Sequence, residues 1–358
     1  MIDKSVNAGV DAQTGFALQR NTALYLLLNN YNSKFKEKKY FICLEHHDDF
    51  LFCFIDENNK VISIDAYQSK KKSPSKWTLN AEMFEVLSKL LGTGKKLIED
   101  DIPKTNNYQH TLHFSTNQTI TLECGSAPNK TTLSIKEDRT LVSYEDLDNA
   151  LKEKIKEKID SKFHDELDNL HFYWIDLNKT VKYQEAVLIL ELIELVGDKV
   201  SSPKSGIQTL ISVFNKIEYI YNQGNNPKLL DVSKRISNKQ IEEVLEIITT
   251  KSKAFEDWRN EKSEIASAIK IRPFEREIFE EKFSLAFDFF KSNEEAEHQK
   301  ILKFVKLNYL NCVSTTLGDT VIELNNLFLK LDSTLFNSLD LKATIYAAYF
   351  EATLKTNN

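Results

Sequence analysis

The sequence predicts an α/β unit over residues 1–200 followed by an all-α unit over residues 203–358. Three observations lead there. β-Branched and aromatic runs bounded by polar turns occur only in the first part of the chain. From Ser143 onward the apolar spacing is helical almost to the end. Between the two parts, Ser201-Ser202-Pro203 with Gly206 reads as a linker. A length of 358 residues suits two domains, and 9 glycines with 6 prolines favour long helices over glycine-rich loops. The formal net charge of −6 argues against a protein that coats nucleic acid without specificity. It leaves room for an enzyme with a local basic groove.

Residues 15–30 (GFALQRNTALYLLLNN) read as a buried helix, and Lys34 to Lys39 as a basic loop. Strands follow at Tyr40 to Glu45, Phe50 to Asp56 and Val61 to Ser69. A second basic loop contains Pro74. Residues 79–91 carry helical spacing and are expected to stop at Gly92, as a helix C-terminus does. Further strands are expected at Thr111 to Ser115, Thr119 to Cys124 and Thr131 to Ile135. Leu147 to Leu170 and Tyr183 to Val196 read as helices, with an extended piece around Phe172 to Leu177 between them. Later helices carry capping boxes at Ser237 with Gln240 and at Ser292 with Glu295. Pro227 and Pro273 mark breaks.

The stretch ICLEHHDDFLFCFIDENNKVISIDAYQSKKK (42–72) carries the chemistry. Asn58-Asn59 separates two apolar runs and tolerates the positive φ of a hairpin turn. With Glu57 paired to Lys60, Asp49 falls directly opposite Gln68, and Lys70 is its diagonal neighbour. Leu51, Cys53, Ile55, Ile62, Ile64 and Ala66 share that face. The expected picture is an apolar sheet face with a carboxylate, an amide and an amine at one end. A hard cation such as Mg²⁺ takes oxygen ligands, which Asp49, the Gln68 carbonyl and a backbone carbonyl could supply. Lysine beside it could orient a water and contact a phosphate oxygen. The pattern leaves one metal or two equally open.

Asp49 followed by Gln68-Ser69-Lys70 resembles the PD-(D/E)XK nuclease core in its Gln-x-Lys form, as in Mrr-like restriction enzymes. Gly15-Phe16-Ala17-Leu18-Gln19 and Glu45-His46-His47-Asp48-Asp49 narrow the resemblance to the double-stranded-DNA endonuclease domain of the CD-NTase-associated effectors of bacterial anti-phage defence. It covers about residues 8–200. The resemblance implies a restriction-endonuclease-like fold and a Mg²⁺- or Mn²⁺-dependent DNA endonuclease. It makes Asp49 the metal-binding acid, Gln68 the second ligand position and Lys70 the catalytic lysine. Gln19 becomes the helix residue facing the site and Glu45 an additional acid and metal ligand. The second acid of the family pattern is glutamine here, which removes one negative charge. Lys71 and Lys72 compete with Lys70 for the role of catalytic amine, and with Lys76 they are candidate DNA-phosphate contacts.

Each residue also has a plainer role: Asp49 as a turn or cap residue, Gln68 and Lys70 as an exposed strand end, Glu45 as a turn carboxylate. Gln19 could be a buried amide satisfied by backbone, and the lysines a solvated loop. Leu91-Gly92-Thr93-Gly94-Lys95-Lys96 lacks the spacing of a phosphate loop and follows a helix, so it reads as a helix cap and linker. His110 and His113, three apart on a strand, face opposite sides and do not make a zinc pair. His46 and His47 read as turn residues.

Cys43, Cys53, Cys124 and Cys312 are spread without metal or disulfide spacing and are expected to be reduced core residues of a cytoplasmic protein. Met1-Ile2-Asp3-Lys4 does not open a leader peptide, and no apolar run reaches ~18 residues. Residues 203–358 carry no catalytic spacing. Their stripes, Phe279, Phe283, Ala286 and Phe290, then Ile301, Phe304, Val305 and Tyr309, read as a bundle core or as a docking surface. The family resemblance, with a helical tail and no nucleotide-sensing module, implies a nuclease subunit of a Lamassu-type complex beside an SMC-like ATPase and an accessory subunit. Such a nuclease would be silent until released or assembled into a homo-oligomer. The alternative is a catalytically silent nuclease-like fold serving as a DNA-binding or scaffold subunit.

Overall fold

A computed structural model describes residues 8–46, 48–71, 76–197, 200, 203–218, 220, 229–290 and 296–353. The protein is mixed α/β with a helical C-terminal region. Helix α1 (Ala8–Asn29) is followed by a single π-helical turn, Tyr31–Phe35. Strands β1 (Tyr40–His46), β2 (Asp48–Ile55) and β3 (Val61–Ser69) form an antiparallel meander. After β4 (Trp77–Thr78), helix α2 (Ala81–Glu99) crosses to β5 (Lys104–Thr116), which lies parallel to β3. Then come β6 (Ile120–Cys124), β7 (Thr131–Ile135), β8 (Leu141–Ser143), α3 (Asn149–Lys158), a 3₁₀ segment Ser161–Asn169, β9 (Leu170–Trp174), α4 (Val181–Val196) and α5 (Pro203–Glu218). Strand β10 (Arg235–Ser237) leads into α6 (Asn238–Ala268), α7 (Arg276–Phe289), α8 (Ala296–Asn308), α9 (Leu317–Leu331) and α10 (Ser338–Thr353).

The main sheet has seven strands in the order β10-β1-β2-β3-β5-β9-β8, and β4-β6-β7 form a smaller sheet. Alternation along the strands gives the main sheet two different faces. One face, with Leu51, Cys53, Ile64, Ala66, Leu112, Phe114 and Phe172, joins Leu87, Leu90, Leu91 and Leu97 of α2 in a single core. The other is aromatic: Phe50 stacks on Tyr67 with centroids 4.7 Å apart, and Tyr67 on His113 at 4.4 Å. Phe35, from the π-helical turn, packs edge-on against Phe52 at 4.9 Å.

The chain divides into two compact units: Met1–Leu195 with Ile207–Glu242, and Val196–Gly206 with Glu243–Asn358. The boundary expected at 200–203 therefore moves. Residues 207–242 join the first unit because Phe41, Ile42 and Cys43 of β1 pair with Ser237, Ile236 and Arg235 of β10, and Arg20 Nη1 of α1 donates to Asn215 Oδ1 of α5 at 2.7 Å. The second unit is helical, built on α10, whose Ile345, Tyr346, Ala347 and Phe350 pack with Trp258, Phe279, Phe283 and Ile301. Phe279, Phe283, Ala286, Phe290, Ile301 and Val305 are buried there, with Phe304 and Tyr309 packed against them.

Two expected helix ends differ. Helix α2 does not stop at Gly92; it runs through Gly92-Thr93-Gly94 to Glu99, because Leu90, Leu91 and Leu97 continue its buried stripe. The Leu147 to Leu170 helix is broken at Ile159. There the Asp160 carboxylate accepts from the Lys162 backbone N–H at 3.1 Å and starts the 3₁₀ segment. The Ser237–Gln240 capping box forms, with the Gln240 N–H donating to Ser237 Oγ at 3.3 Å and the Ser237 N–H to Gln240 Oε1 at 2.8 Å. Ser292, Glu295 and Pro227 lie outside the described residues. Among the described residues no helix is long and apolar enough to cross a membrane.

Candidate functional site

The β2–β3 register decides which side chains meet. Phe50 pairs with Tyr67, Leu51 with Ala66 and Cys53 with Ile64, the register expected from the sequence. The turn that sets it is different. Glu57 does not pair with Lys60; the Asp56 N–H donates to Lys60 O at 2.9 Å, and Asp56 Oδ1 accepts from the Asn58 and Lys60 backbone N–H groups. Asn59 takes the left-handed φ of 60°. The register shifts by one between Phe54 and Ile55, so Ile55 pairs with Val61. One consequence is that Val61 is buried in the core and Ile62 is 42% exposed, reversing the face expected for Ile62.

Beyond Phe50 and Tyr67 the same register brings Asp49 to Gln68. Asp49 Oδ1 accepts from Gln68 Nε2 at 2.6 Å, and Oδ2 accepts from the Ser69 backbone N–H at 2.6 Å. Lys70 Nζ lies 3.6 Å from Asp49 Oδ2. A side-chain hydrogen bond from Gln19 of α1 also reaches Asp49. Asp49 and Gln68 are 8% and 7% exposed, while the Lys70 side chain is partly open to solvent. Burial pushes the Asp49 carboxyl above its ordinary value. The charge of Lys70 and the hydrogen bonds from Gln68, Ser69 and Gln19 pull the other way without cancelling it.

The site stands at the carboxyl end of β3, where the parallel strands β3, β5 and β9 all finish. Backbone pairing continues one residue past β3, from the Lys70 N–H to Ser115 O at 2.9 Å. Ser69 Oγ and Ser115 Oγ are hydrogen-bonded at 2.8 Å. These bonds fix the Gln68-Ser69-Lys70 backbone. Asp49, Gln68, Lys70 and Gln19 are thus gathered at one sheet end. Ser69, whose N–H holds the carboxylate, was not legible as a contributor, since a backbone donor has no sequence signal.

The other candidates fall elsewhere. Glu45 lies in β1, and its side chain, like Lys72, is outside the described residues. Lys71 Nζ donates to Thr14 Oγ1 of α1 at 3.3 Å. Lys76 is exposed just before β4, within electrostatic reach of Glu123. His47 is outside the described residues, and His46 pairs with Asp48 across the tight β1–β2 connection.

Asp49 and Gln68 offer one carboxylate and one amide oxygen. Gln68 Oε1 accepts no hydrogen bond among the described residues, and Gln68 lines a cleft of about 580 Å³. These oxygen donors suit a hard divalent cation whose remaining positions are filled by water. Among the described residues no group of three or more His, Cys, Asp or Glu side chains converges, so the site carries a single described acid.

Two further polar clusters lie off this site. Glu166 is 2% exposed; its Oε2 takes hydrogen bonds from His110 Nε2 at 2.7 Å and Asn169 Nδ2 at 3.1 Å. Burial pushes the Glu166 carboxyl up, but these bonds outweigh it and hold it below its ordinary value. On the aromatic face, Asp65 pairs with Lys34 at 2.5 Å and accepts from Thr111 Oγ1 at 2.8 Å. Thr111 in turn meets His113 Nε2 at 2.9 Å. His110 and His113 do point to opposite faces, each with its own partner.

The chain matches no protein-family model, and no curated protein or solved structure matches it.

Proposed function

We propose that the first unit is a metal-dependent double-stranded-DNA endonuclease of PD-(D/E)XK type, with Asp49, Gln68, Lys70 and Gln19 as its centre. The observation that carries this is the Lys70 ammonium 3.6 Å from a buried aspartate whose carboxylate is held by Gln68 and Ser69 at the end of parallel strands. In support, the elements run helix, three-stranded meander, helix, parallel strand. The biological role follows from the sequence resemblance: an effector of bacterial defence against phage or plasmids, silent until a partner subunit releases it or copies assemble. The partners on this reading are duplex DNA, further copies of the chain, and an SMC-like ATPase with an accessory subunit.

Asp49 and Gln68 Oε1 would hold Mg²⁺ or Mn²⁺. When bound, the cation supplies positive charge that favours ionisation of a water and offsets charge developing on the phosphate. Ser69 N–H and Gln68 Nε2 fix the carboxylate orientation before substrate arrives, so no reorganisation is needed later. Lys70, partly open to solvent, donates to a non-bridging phosphate oxygen. The water oxygen bonds to phosphorus and releases a proton to solvent, the bond from phosphorus to the leaving deoxyribose oxygen breaks, and that oxygen takes up a proton from solvent.

A single described carboxylate with both oxygens already hydrogen-bonded also favours a second reading, a nuclease-like subunit that binds DNA without cutting it. One experiment separates the two. Purified protein is incubated with supercoiled plasmid and Mg²⁺ or Mn²⁺ at low and high protein concentration, beside Asp49→Ala and Lys70→Ala. The expected result is cation-dependent nicking and linearisation that rises steeply with concentration and drops at least ~100-fold in each folded variant. Cutting that survives both substitutions overturns the site. A wild-type chain inert alone and with its partner subunits overturns the endonuclease reading.

A further inference from the structure

The cleft that contains Gln68 extends away from the sheet end along one face of α2. Its helical wall is Glu85, Ser88, Lys89, Gly92, Thr93 and Lys96, and Phe163 closes the far side. These positions recur at the three- and four-residue spacing of a single helix face. From Glu85 to Lys96 the wall runs about 16 Å at ~1.5 Å per residue. That is the rise of roughly five nucleotides of one B-DNA strand at ~3.4 Å each.

Gly92 lies on the floor of this cleft in mid-helix, where glycine is the costliest residue short of proline. Packing does not require it: a Cβ there would sit 3.6 Å from the Phe163 ring, an ordinary contact. Gly94, two residues on and on the opposite face of the helix, is different. A Cβ there would overlap Glu166 Oε2 and come within 2.8 Å of its Cδ, so a side chain there would have to displace the buried Glu166 carboxylate from His110 and Asn169. Gly92 thus lines the cleft without a side chain of its own.

The charges on the wall suit an anion. Lys96 is exposed and pairs with no carboxylate among the described residues. Lys89 pairs with Glu85 at 2.8 Å, an exposed contact that water screens. The hydroxyls are already used: Ser88 Oγ donates to Phe84 O and Thr93 Oγ1 to Lys89 O. Donation to an incoming ligand therefore falls to the two lysines.

We infer that this α2 cleft is the track for the phosphodiester backbone of the strand being cut, with Lys96 and Lys89 on phosphates and Gly92 giving the backbone room. The inference rests on the nuclease reading and adds the substrate path to it. It also separates the track from the Lys71 and Lys76 loop, which the sequence alone favoured.

The test measures binding apart from cutting. Affinity of a fluorescent DNA duplex for the full chain is measured in EDTA over a salt series for wild type, Lys96→Ala, Gly92→Ala and Gly92→Leu, with Lys158→Ala as a surface-charge control. Thermal melting checks folding. Lys96→Ala is expected to weaken binding about 5-fold at low salt and to lower the salt slope by about 0.9, the loss of one phosphate contact. Gly92→Leu is expected to weaken binding at least ~10-fold without lowering the melting temperature, since leucine is the better helix former. Should Gly92→Leu misfold, Gly92→Ala and Lys96→Ala carry the test. If wild type binds and cuts while all three variants match it, the track is overturned and the nuclease reading stands. Wild type that binds no duplex overturns both.

Discussion

Asp49 concentrates the opposing forces of the molecule in one carboxylate. Burial disfavours its charge more than Lys70, Gln68, Ser69 and Gln19 together favour it. The sign for stability follows: the folded chain keeps this proton at pH values where the unfolded chain has released it. Asp49 thus costs stability as pH rises above the ordinary carboxyl range. Asp49→Asn is accordingly expected to raise the melting temperature near neutrality, by about 2–4 °C for each ~1 kcal/mol relieved, while abolishing cleavage. A lower melting temperature overturns that account. Lys70 is the largest influence holding the carboxyl down. Lys70→Ala is expected to move the Asp49 titration upward, read by carboxyl-carbon NMR; a downward move would contradict the pairing.

Helix α2 shows how one element serves both fold and site. Its apolar face carries the core, and its two mid-helix glycines do opposite things. Gly94→Ala forces a methyl against the buried Glu166–His110 pair and is expected to cost about 1–3 kcal/mol in denaturant unfolding. Gly92→Ala makes only an ordinary contact with the Phe163 ring and is expected to gain about 0.5–1 kcal/mol from helix propensity. If both substitutions cost the same, the distinction between a packing glycine and a cleft glycine fails. The β2–β3 hairpin carries a similar lesson. Its register, and with it the meeting of Asp49 and Gln68, survives a turn different from the one expected. The one-residue shift at Phe54/Ile55 absorbs the longer loop. The cost of that shift appears at the far end, where Ile62 is left in solvent.

Across the whole first unit, the aromatic sheet face makes stability depend on pH. Burial pushes the His113 imidazole down to about 3 from its ordinary 6.5, with the Asp65 charge opposing and His171 and Lys34 assisting. Below about pH 6.5 the unfolded chain binds a proton that the folded chain refuses. Stability is therefore expected to fall by about 1.4 kcal/mol per pH unit as pH drops toward 3. His113→Phe, which keeps the stack on Tyr67, is expected to flatten that slope in urea unfolding; an unchanged slope places the proton elsewhere. Local pattern determined much of this protein. Alternation in β2 and β3 put Asp49, Gln68 and Lys70 on one face, and amphipathic spacing marked the helical second unit, because both signals are written within a few adjacent residues. What adjacent residues do not encode, the tertiary structure decided. The edge strand β10 exists only because β1 offers an unpaired backbone, which carries residues 207–242 into the first unit. Gly92 could not be told from a helix stop without Leu97 and the sheet it packs on. Ser69 entered the site through a backbone N–H, a donor that every residue but proline possesses and that only a fixed strand end can aim.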